Sequence, residues 1–369
     1  MVFSNELSFV SPDLKVEAIT LYNPRHLPSV QEIAGPLLEY PRPLCAAAGT
    51  ETAMDVKKLQ EQTGQQGSSV VDFLLKEPAG TFKIRAITRN PESAASKALA
   101  AKGIEVVKAE LSSLEETTKA FEGAWGVFGV TQFYEHGYEK EQLHGKNIVE
   151  AAKAAGVKHL VWSTVEGREG ECGAISWRSK AQIEDLVIAS GIPYTFVYIP
   201  MYYENFWTSF FAPSYDEEKG FNWTVGFMPD VPIFAFSVSD MGAWVVPAFR
   251  EPEQWNGKKI KTVVEFLSLR DIAQQFSEVT GEKAFLALEL SKEAFEASRG
   301  EPNSVQELMY LSWEFVARAE PDSGVRSKEQ TLSIYPQAKT YREWLKSSQM
   351  VKDHVAKLKA EAAAKKSQA

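Results

Sequence analysis

From about residue 65 the chain alternates between two hydrophobic periods. Residues 68–76 carry apolar side chains at helical spacing, and residues 82–88 read as a short buried strand. A helix opened by Pro91 follows to residue 102, then a strand over 104–109. The same rhythm predicts a helix at 114–121, a strand at 126–130, a helix at 144–155 closed by Gly156, and a strand at 157–163. A helix at 179–189, closed by Gly191, and a strand at 194–199 complete it. Strands separated by helices of this length imply parallel strands joined by right-handed crossovers, which is a doubly wound α/β sheet. After Pro200 the rhythm breaks, and residues 201–232 are rich in aromatics, among them Tyr202, Tyr203, Phe206, Trp207, Trp223 and Phe227. These read either as a wall that stacks a flat ligand or as core packing. Later elements come in mixed order: helices at 240–249, 269–280, 305–318 and 340–348, with extended runs at 259–266 and 284–290.

The division predicted is a sheet domain over 54–200 with later strands from 232–267, a smaller mixed α/β cap over 201–348, and a polar helical tail over 349–369. Residues 1–53 are broken by Pro12, Pro24, Pro28, Pro36, Pro41 and Pro43. They are expected to form a loosely ordered extension, dispensable for the folded core. The alternative for residues 16–22 is an added edge strand. Lys352, Lys357, Lys359, Lys365 and Lys366 in the tail suit either a solvated, fraying helix or contact with an acidic partner.

Composition narrows the chemistry. Hydrophobic residues make up 44% and charged residues 24%, a globular balance. Forty basic residues against forty-nine acidic ones leave a net charge of -9, which works against sequence-independent phosphate affinity, so no direct nucleic-acid contact is expected. Cys45 and Cys172 are the only cysteines and the histidines lack ligand spacing, so neither a disulfide framework nor a metal site is expected. No apolar run approaches the ~20 residues of a membrane span. Glu6 interrupts the short apolar stretch at the N-terminus, which also lacks a basic region, so no secretory signal is expected. The expected location is the cytoplasm, with the nucleus open as a second site. Ser163 lacks a GxSxG elbow, so a hydrolase triad is unsupported.

The segment Thr63-Gly64-Gln65-Gln66-Gly67-Ser68 opens the first helix. Gly64 and Gly67 have the spacing of the second and third glycines of a dinucleotide-binding turn, whose helix N-terminus presents free N–H groups to phosphates. A plain helix-entry turn is the other reading. The next strand ends in Thr88-Arg89-Asn90. Where NAD-specific folds place a carboxylate for the ribose, Arg89 offers a guanidinium suited to a 2′-phosphate, or is a solvated strand-end arginine.

At this point the chain resembles the NmrA-like family of atypical short-chain dehydrogenases. The carrying segments, within about residues 63–285, include TGQQGSS, KIRAITRNPES, GVFGVTQF, HLVWSTVEG, SKAQIEDLV, GIPYTFVYIPMYYENF and SLRDIAQQFSEVTGEK. The resemblance implies an NAD(P)-binding Rossmann-type fold with NADP as cofactor. It places Thr63, Gly64, Gln66 and Gly67 at the pyrophosphate, Arg89 at the 2′-phosphate, Val130 and Thr131 near the ribose, and Lys180 at the nicotinamide ribose. Tyr202 and Asn205 fall in the substrate pocket. Short-chain dehydrogenases commonly carry a tyrosine one helical turn before this lysine, so that the ammonium lowers the phenol pKa for proton transfer. Here that position is Ser176. A serine supplies no phenolate near neutral pH, and the indole of Trp177 only donates. Lys180 then keeps either a cofactor-binding role or a surface pairing with Glu184 one turn on.

One segment departs from the family. A buried first strand ending in Gly-Ala should precede Thr63, whereas the chain reads Val56-Lys57-Lys58-Leu59-Gln60-Glu61-Gln62. Glu61 at the first-glycine position would repel the pyrophosphate. NADP(H) binding is expected to be weak or absent unless another segment supplies the strand and turns Glu61 away. Either residues 1–53 are foreign to the fold and the true strand has been skipped in the message, or the protein is a degenerate relative that has lost its cofactor. The leading functional expectation is an NADP(H)-reading redox sensor acting on a regulatory protein partner. An NADPH-dependent reductase of a small carbonyl or aromatic substrate is the alternative.

Overall fold

The structure is a computed structural model that describes residues 18–22, 63–208, 211–302, 304–319 and 321–366. Among these residues, strands β1 (Ala18–Tyr22), β2 (Lys83–Thr88), β3 (Glu105–Lys108), β4 (Gly126–Gly129), β5 (His159–Thr164), β6 (Tyr194–Tyr198) and β11 (Lys258–Lys261) form the main sheet, in the order β11-β6-β5-β4-β1-β2-β3. Helices α1 (Thr63–Leu74), α2 (Ala94–Ala101), α3 (Leu114–Phe121), α4 (Phe133–Ala154), α5 (Ile175–Ser190), α6 (Gly242–Arg250) and the short α7 (Pro252–Trp255) cover its faces or link its strands. One apolar cluster joins α1 and α6 to the sheet through Val70, Val71, Phe128, Trp244 and Val245. The opposite cluster packs Phe121, Ile148, Trp162 and Ile183. The sheet is the doubly wound one expected from the sequence rhythm.

Its centre is filled in an unexpected way. β1 lies between β2 and β4 and runs antiparallel to both, pairing Ala18 with Ile87 and Gly129, and Leu21 with Ile84 and Gly126. Every other pairing in this sheet is parallel. Two expectations for residues 1–53 therefore fail at 18–22: the segment is neither loose nor at an edge. The physical cause is the demand of the slot. Facing edges of β2 and β4 present N–H and C=O groups that burial requires to be paired. Ala-Ile-Thr-Leu-Tyr has the β-branched and apolar character to pair them, and Ile19 is fully buried. The Glu61 run lies outside the described residues, as does the rest of the extension.

Two larger differences separate the structure from the sequence reading. The helix expected from residue 144 begins at Phe133, and it is two helices joined at Gly137, whose φ of 72° needs glycine. Its first turns, 133–143, are mostly polar and carried no apolar period. The extended run 259–266 splits between two sheets, because β12 (Glu265–Leu267) leaves the main sheet to pair with β10 (Ile233–Phe236), itself beside β7 (Met201–Tyr202).

The cap contains that small sheet, a second one of β8 (Ser214–Asp216), β9 (Gly220–Trp223) and β13 (Ala284–Leu286), and helices α8 (Leu269–Thr280), α9 (Lys292–Ala297), α10 (Val305–Arg318), α11 (Lys328–Ile334) and α12 (Tyr341–Ser347). Ser268 and Thr340 open α8 and α12 with capping boxes to Asp271 and Glu343. Most of the described aromatics after Pro200 are core: Trp207 packs edge-on against Trp223 and against Phe276, and its indole N–H donates to the Tyr341 hydroxyl at 3.1 Å. The tail forms α13 (Gln349–Lys366), which docks on the cap through Val351, Val355 and Leu358. Lys359 and Lys366 pair with Glu282 and Glu217 of the same chain.

Candidate functional site

The carboxyl ends of β4, β5 and β6 meet the cap around a cavity of about 450 Å³. Ligands of open α/β sheets bind at this edge. Gln66 of α1, Thr131 and Lys180 line the sheet side, while Phe211, Phe234, Met309 and Trp313 line the cap side.

The residues singled out from sequence fall around this cavity unequally. Thr63 opens α1, and Gly64 and Gly67 are buried in its first turns. Gln66 reaches the cavity and accepts a 2.7 Å hydrogen bond from the Ser163 hydroxyl. Val130 is buried just past β4. Lys180 donates to the Thr131 carbonyl at 2.7 Å and to Glu141 at 2.9 Å, and the Thr131 hydroxyl donates to the same carboxylate at 2.9 Å. Glu141 is fully buried, and this ammonium and hydroxyl are the partners of its carboxylate. The surface pairing of Lys180 with Glu184 is not formed. Glu184 instead accepts from Thr164, Tyr198 and Arg168. Tyr202 and Asn205 line the cavity. Arg89 stands behind the wall, held at 2.6 Å by Glu135, which does line it. Sequence reading missed Glu135, Glu141, Gln132 and Tyr134. They sit on the segment from the end of β4 into α4, whose polar pattern gave no periodic signal.

Several polar atoms on residues that line this cavity are themselves buried without a hydrogen-bond partner: Gln132 Nε2, the Tyr202 hydroxyl and Asn205 Oδ1. Each unpaired buried group costs about 1–3 kcal/mol. Burial holds the Tyr202 hydroxyl well above the ordinary phenol range, with the nearby Glu204 adding to the rise. Burial also lowers His136, beside Glu135, to about 4, so it is neutral at pH 7.

Glu204 is pushed up to about 7 by desolvation, despite accepting from the Ser237 hydroxyl and the Val238 N–H. The folded protein thus holds this proton more tightly than the unfolded chain, where the group titrates near 4.5. Its stabilising contribution is full below pH 4.5, falls as pH rises, and is lost above about 7. Glu204→Gln should flatten the fall in thermal midpoint between pH 5 and 8, and equal slopes in parent and variant would remove Glu204 from this role.

Among the described residues, no group of three or more His, Cys, Asp or Glu is placed to hold a metal ion, and no helix is long and apolar enough to cross a membrane. Comparison with known proteins gives a consistent picture. The NmrA-like domain-containing oxidoreductase LnbB of Aspergillus flavus is 32% identical over 243 residues, covering 60% of this chain and 72% of that protein. The corresponding oxidoreductase FrzB of a Cladobotryum species is 36% identical over 245 residues, covering 60% and 72%. Among solved structures, NmrA, a negative transcriptional regulator in complex with NAD, aligns with a TM-score of 0.63 at 20% identity, covering 79% of this chain and 94% of that one. The NADPH-dependent quinone oxidoreductase of Escherichia coli, complexed with NADPH, aligns with a TM-score of 0.62 at 24% identity, covering 76% and 95%. Both structural likenesses concern the fold. The NmrA-like family model matches residues 61–345, and the chain belongs to that family.

Proposed function

We propose that this protein is an NADP(H)-dependent oxidoreductase acting on a small, largely apolar carbonyl or quinone held between sheet and cap. The observation that carries this reading is the cavity itself, with aromatic walls and the polar residues Gln132, Tyr202 and Asn205 in its lining. The size suits a small ring system, and the Gln132 amide N–H and Tyr202 hydroxyl are donors of the kind its oxygens need. The related oxidoreductases and the nicotinamide-bound structures of the same fold support the same reading.

The residues present fit a nicotinamide cofactor at the carboxyl edge. The first turn of α1 would hold the pyrophosphate, and Gln66, Thr131 and Lys180 the nicotinamide half. When bound, the reduced ring supplies a hydride. The protein's own part is to fix Thr131 through Lys180 and Glu141, to exclude water with Phe234 and Trp313, and to orient the substrate through Asn205 and Tyr202. With β1 filling the centre of the sheet, binding no longer requires residues 56–62 to supply a strand.

Preference for the 2′-phosphate runs through Arg89, and Glu135 competes for it. A carboxylate on the same guanidinium opposes the incoming phosphate by about 1 kcal/mol after screening, or roughly fivefold in affinity. Glu135→Gln should therefore tighten NADPH about five- to tenfold and leave NADH nearly unchanged, while Arg89→Ala should weaken NADPH tenfold or more. Calorimetric titration of both cofactors checks this, and equal effects on NADH and NADPH would detach Arg89 from the 2′-phosphate.

A second reading, a redox sensor with a protein partner, draws on Ser176 standing where short-chain dehydrogenases carry tyrosine. NADPH oxidation against quinones, aldehydes and ketones separates the two. Turnover on the order of 1 per second supports the enzyme. Tight NADPH binding without turnover of any of these substrates supports the sensor.

A further inference from the structure

We propose that Tyr134, from the first turn of α4, is the proton donor of this cavity, occupying functionally the place left by Ser176. The inference rests on the oxidoreductase reading above. Tyr134, Ser176 and Lys180 line the same cavity, although Tyr134 comes from a different helix. The Tyr134 hydroxyl lies beside that of Ser176, whose oxygen is buried and not aligned in a hydrogen bond.

The approach is held in place. Lys180 grips the Thr131 carbonyl, three residues before Tyr134, and shares Glu141 with the Thr131 hydroxyl. The lysine that elsewhere would sit against the phenol here anchors the backbone that carries it. Desolvation holds the Tyr134 pKa above its ordinary value, and Glu141 and Cys172 add to the rise. The proton therefore stays on oxygen through neutral pH and moves only to an oxygen that gains alkoxide charge as the hydride arrives. The residue as a whole is 44% exposed although its hydroxyl end is desolvated, so solvent meets the ring edge.

The chemistry balances. A carbonyl carbon gains a hydride from the reduced nicotinamide as its π bond breaks, and the carbonyl oxygen takes the proton from the Tyr134 O–H. The phenolate left behind is reprotonated from water. Each turnover consumes one NADPH, one proton and one carbonyl, and yields NADP⁺ and the alcohol. A quinone takes the hydride and the proton in the same way and leaves as the hydroquinone.

The test uses the full chain with benzaldehyde and 1,4-naphthoquinone. Tyr134→Phe should lower kcat at least a hundredfold, within the range expected for loss of a general acid, with NADPH affinity within about twofold of the parent. The double variant Tyr134→Phe/Ser176→Tyr, which returns a phenol from the neighbouring helix, should recover at least tenfold of that loss. Parent-like turnover by Tyr134→Phe would overturn the assignment while leaving the oxidoreductase reading intact. Loss of NADPH binding in Tyr134→Phe would overturn it in favour of a purely structural role. A parent chain that binds NADPH but turns over neither probe would overturn the oxidoreductase reading, and this inference with it.

Discussion

Ile19→Asp should prevent the main sheet from forming, and Ile19→Ala should destabilise the protein by about 2–5 kcal/mol, the range for truncating a large buried aliphatic side chain. Ile19 is fully buried and belongs to the cluster that holds Val70 and Phe128. Its strand supplies the hydrogen bonds that join β2 on one side to β4 on the other. An aspartate there would add an unpaired charge to the centre of the sheet, a cost that neighbours cannot relieve by small shifts. Denaturant unfolding followed by tryptophan fluorescence reads the effect, since the described tryptophans lie in both sheet and cap. Parent-like stability in Ile19→Asp would show that β1 does not hold the sheet together.

Breaking the buried pair of Arg326 and Glu166 should cost about 3–5 kcal/mol. Both side chains are essentially inaccessible, at 1% and 0% exposure, and 2.7 Å apart. Arg326 also donates to the carbonyls of Tyr198, Ile199 and Thr262, at the point where β6 runs out beneath the cavity. Glu166→Ala would leave a guanidinium buried without its carboxylate, and Arg326→Met would strip the Ile199 and Thr262 carbonyls and the carboxylate of this donor, while the Tyr198 carbonyl keeps the Thr262 N–H and hydroxyl. Lys261, 3.8 Å from the other Glu166 oxygen, offsets part of the latter. Because the two singles damage one network, the double variant should lose less than the sum of their effects. Strict additivity in chemical denaturation would mean that the two residues act independently.

The alternation of strands and helices was legible in the sequence because each element there buries a continuous face. Helices such as Leu269–Thr280 and Val305–Arg318 were readable to the residue, since Ser268 and Ser304 cap them ahead of a clear apolar period. β1 was not legible. Five residues among prolines have no partner in local sequence, and their pairing with β2 and β4 is decided by an open slot that only the assembled sheet presents. The site divided along the same line. Gln66, Thr131 and Lys180 stand near the ends of elements that the rhythm locates, whereas Tyr202 and Asn205, beyond Pro200, came from the family resemblance alone. The partners of Lys180 and Arg89 could not be read, because Glu141 and Glu135 lie on another element, 39 and 46 residues away, and pairing at that distance is set by topology.

The reversed direction of β1 links two equilibria. Its first residue, Ala18, is the one that lies at the carboxyl edge, opposite Ile87 and Gly129, and α1 packs on the strand. A ligand that fixes the first turn of α1 at that edge binds only the assembly in which β1 is seated. By mass action its binding free energy is added to the seating of the strand, about 2.7 kcal/mol when the ligand stands at a hundred times its Kd. Seating of the strand and occupancy of the edge therefore favour each other by the same factor. In this protein the concentration of the ligand becomes a measure of how firmly the middle of the sheet is closed.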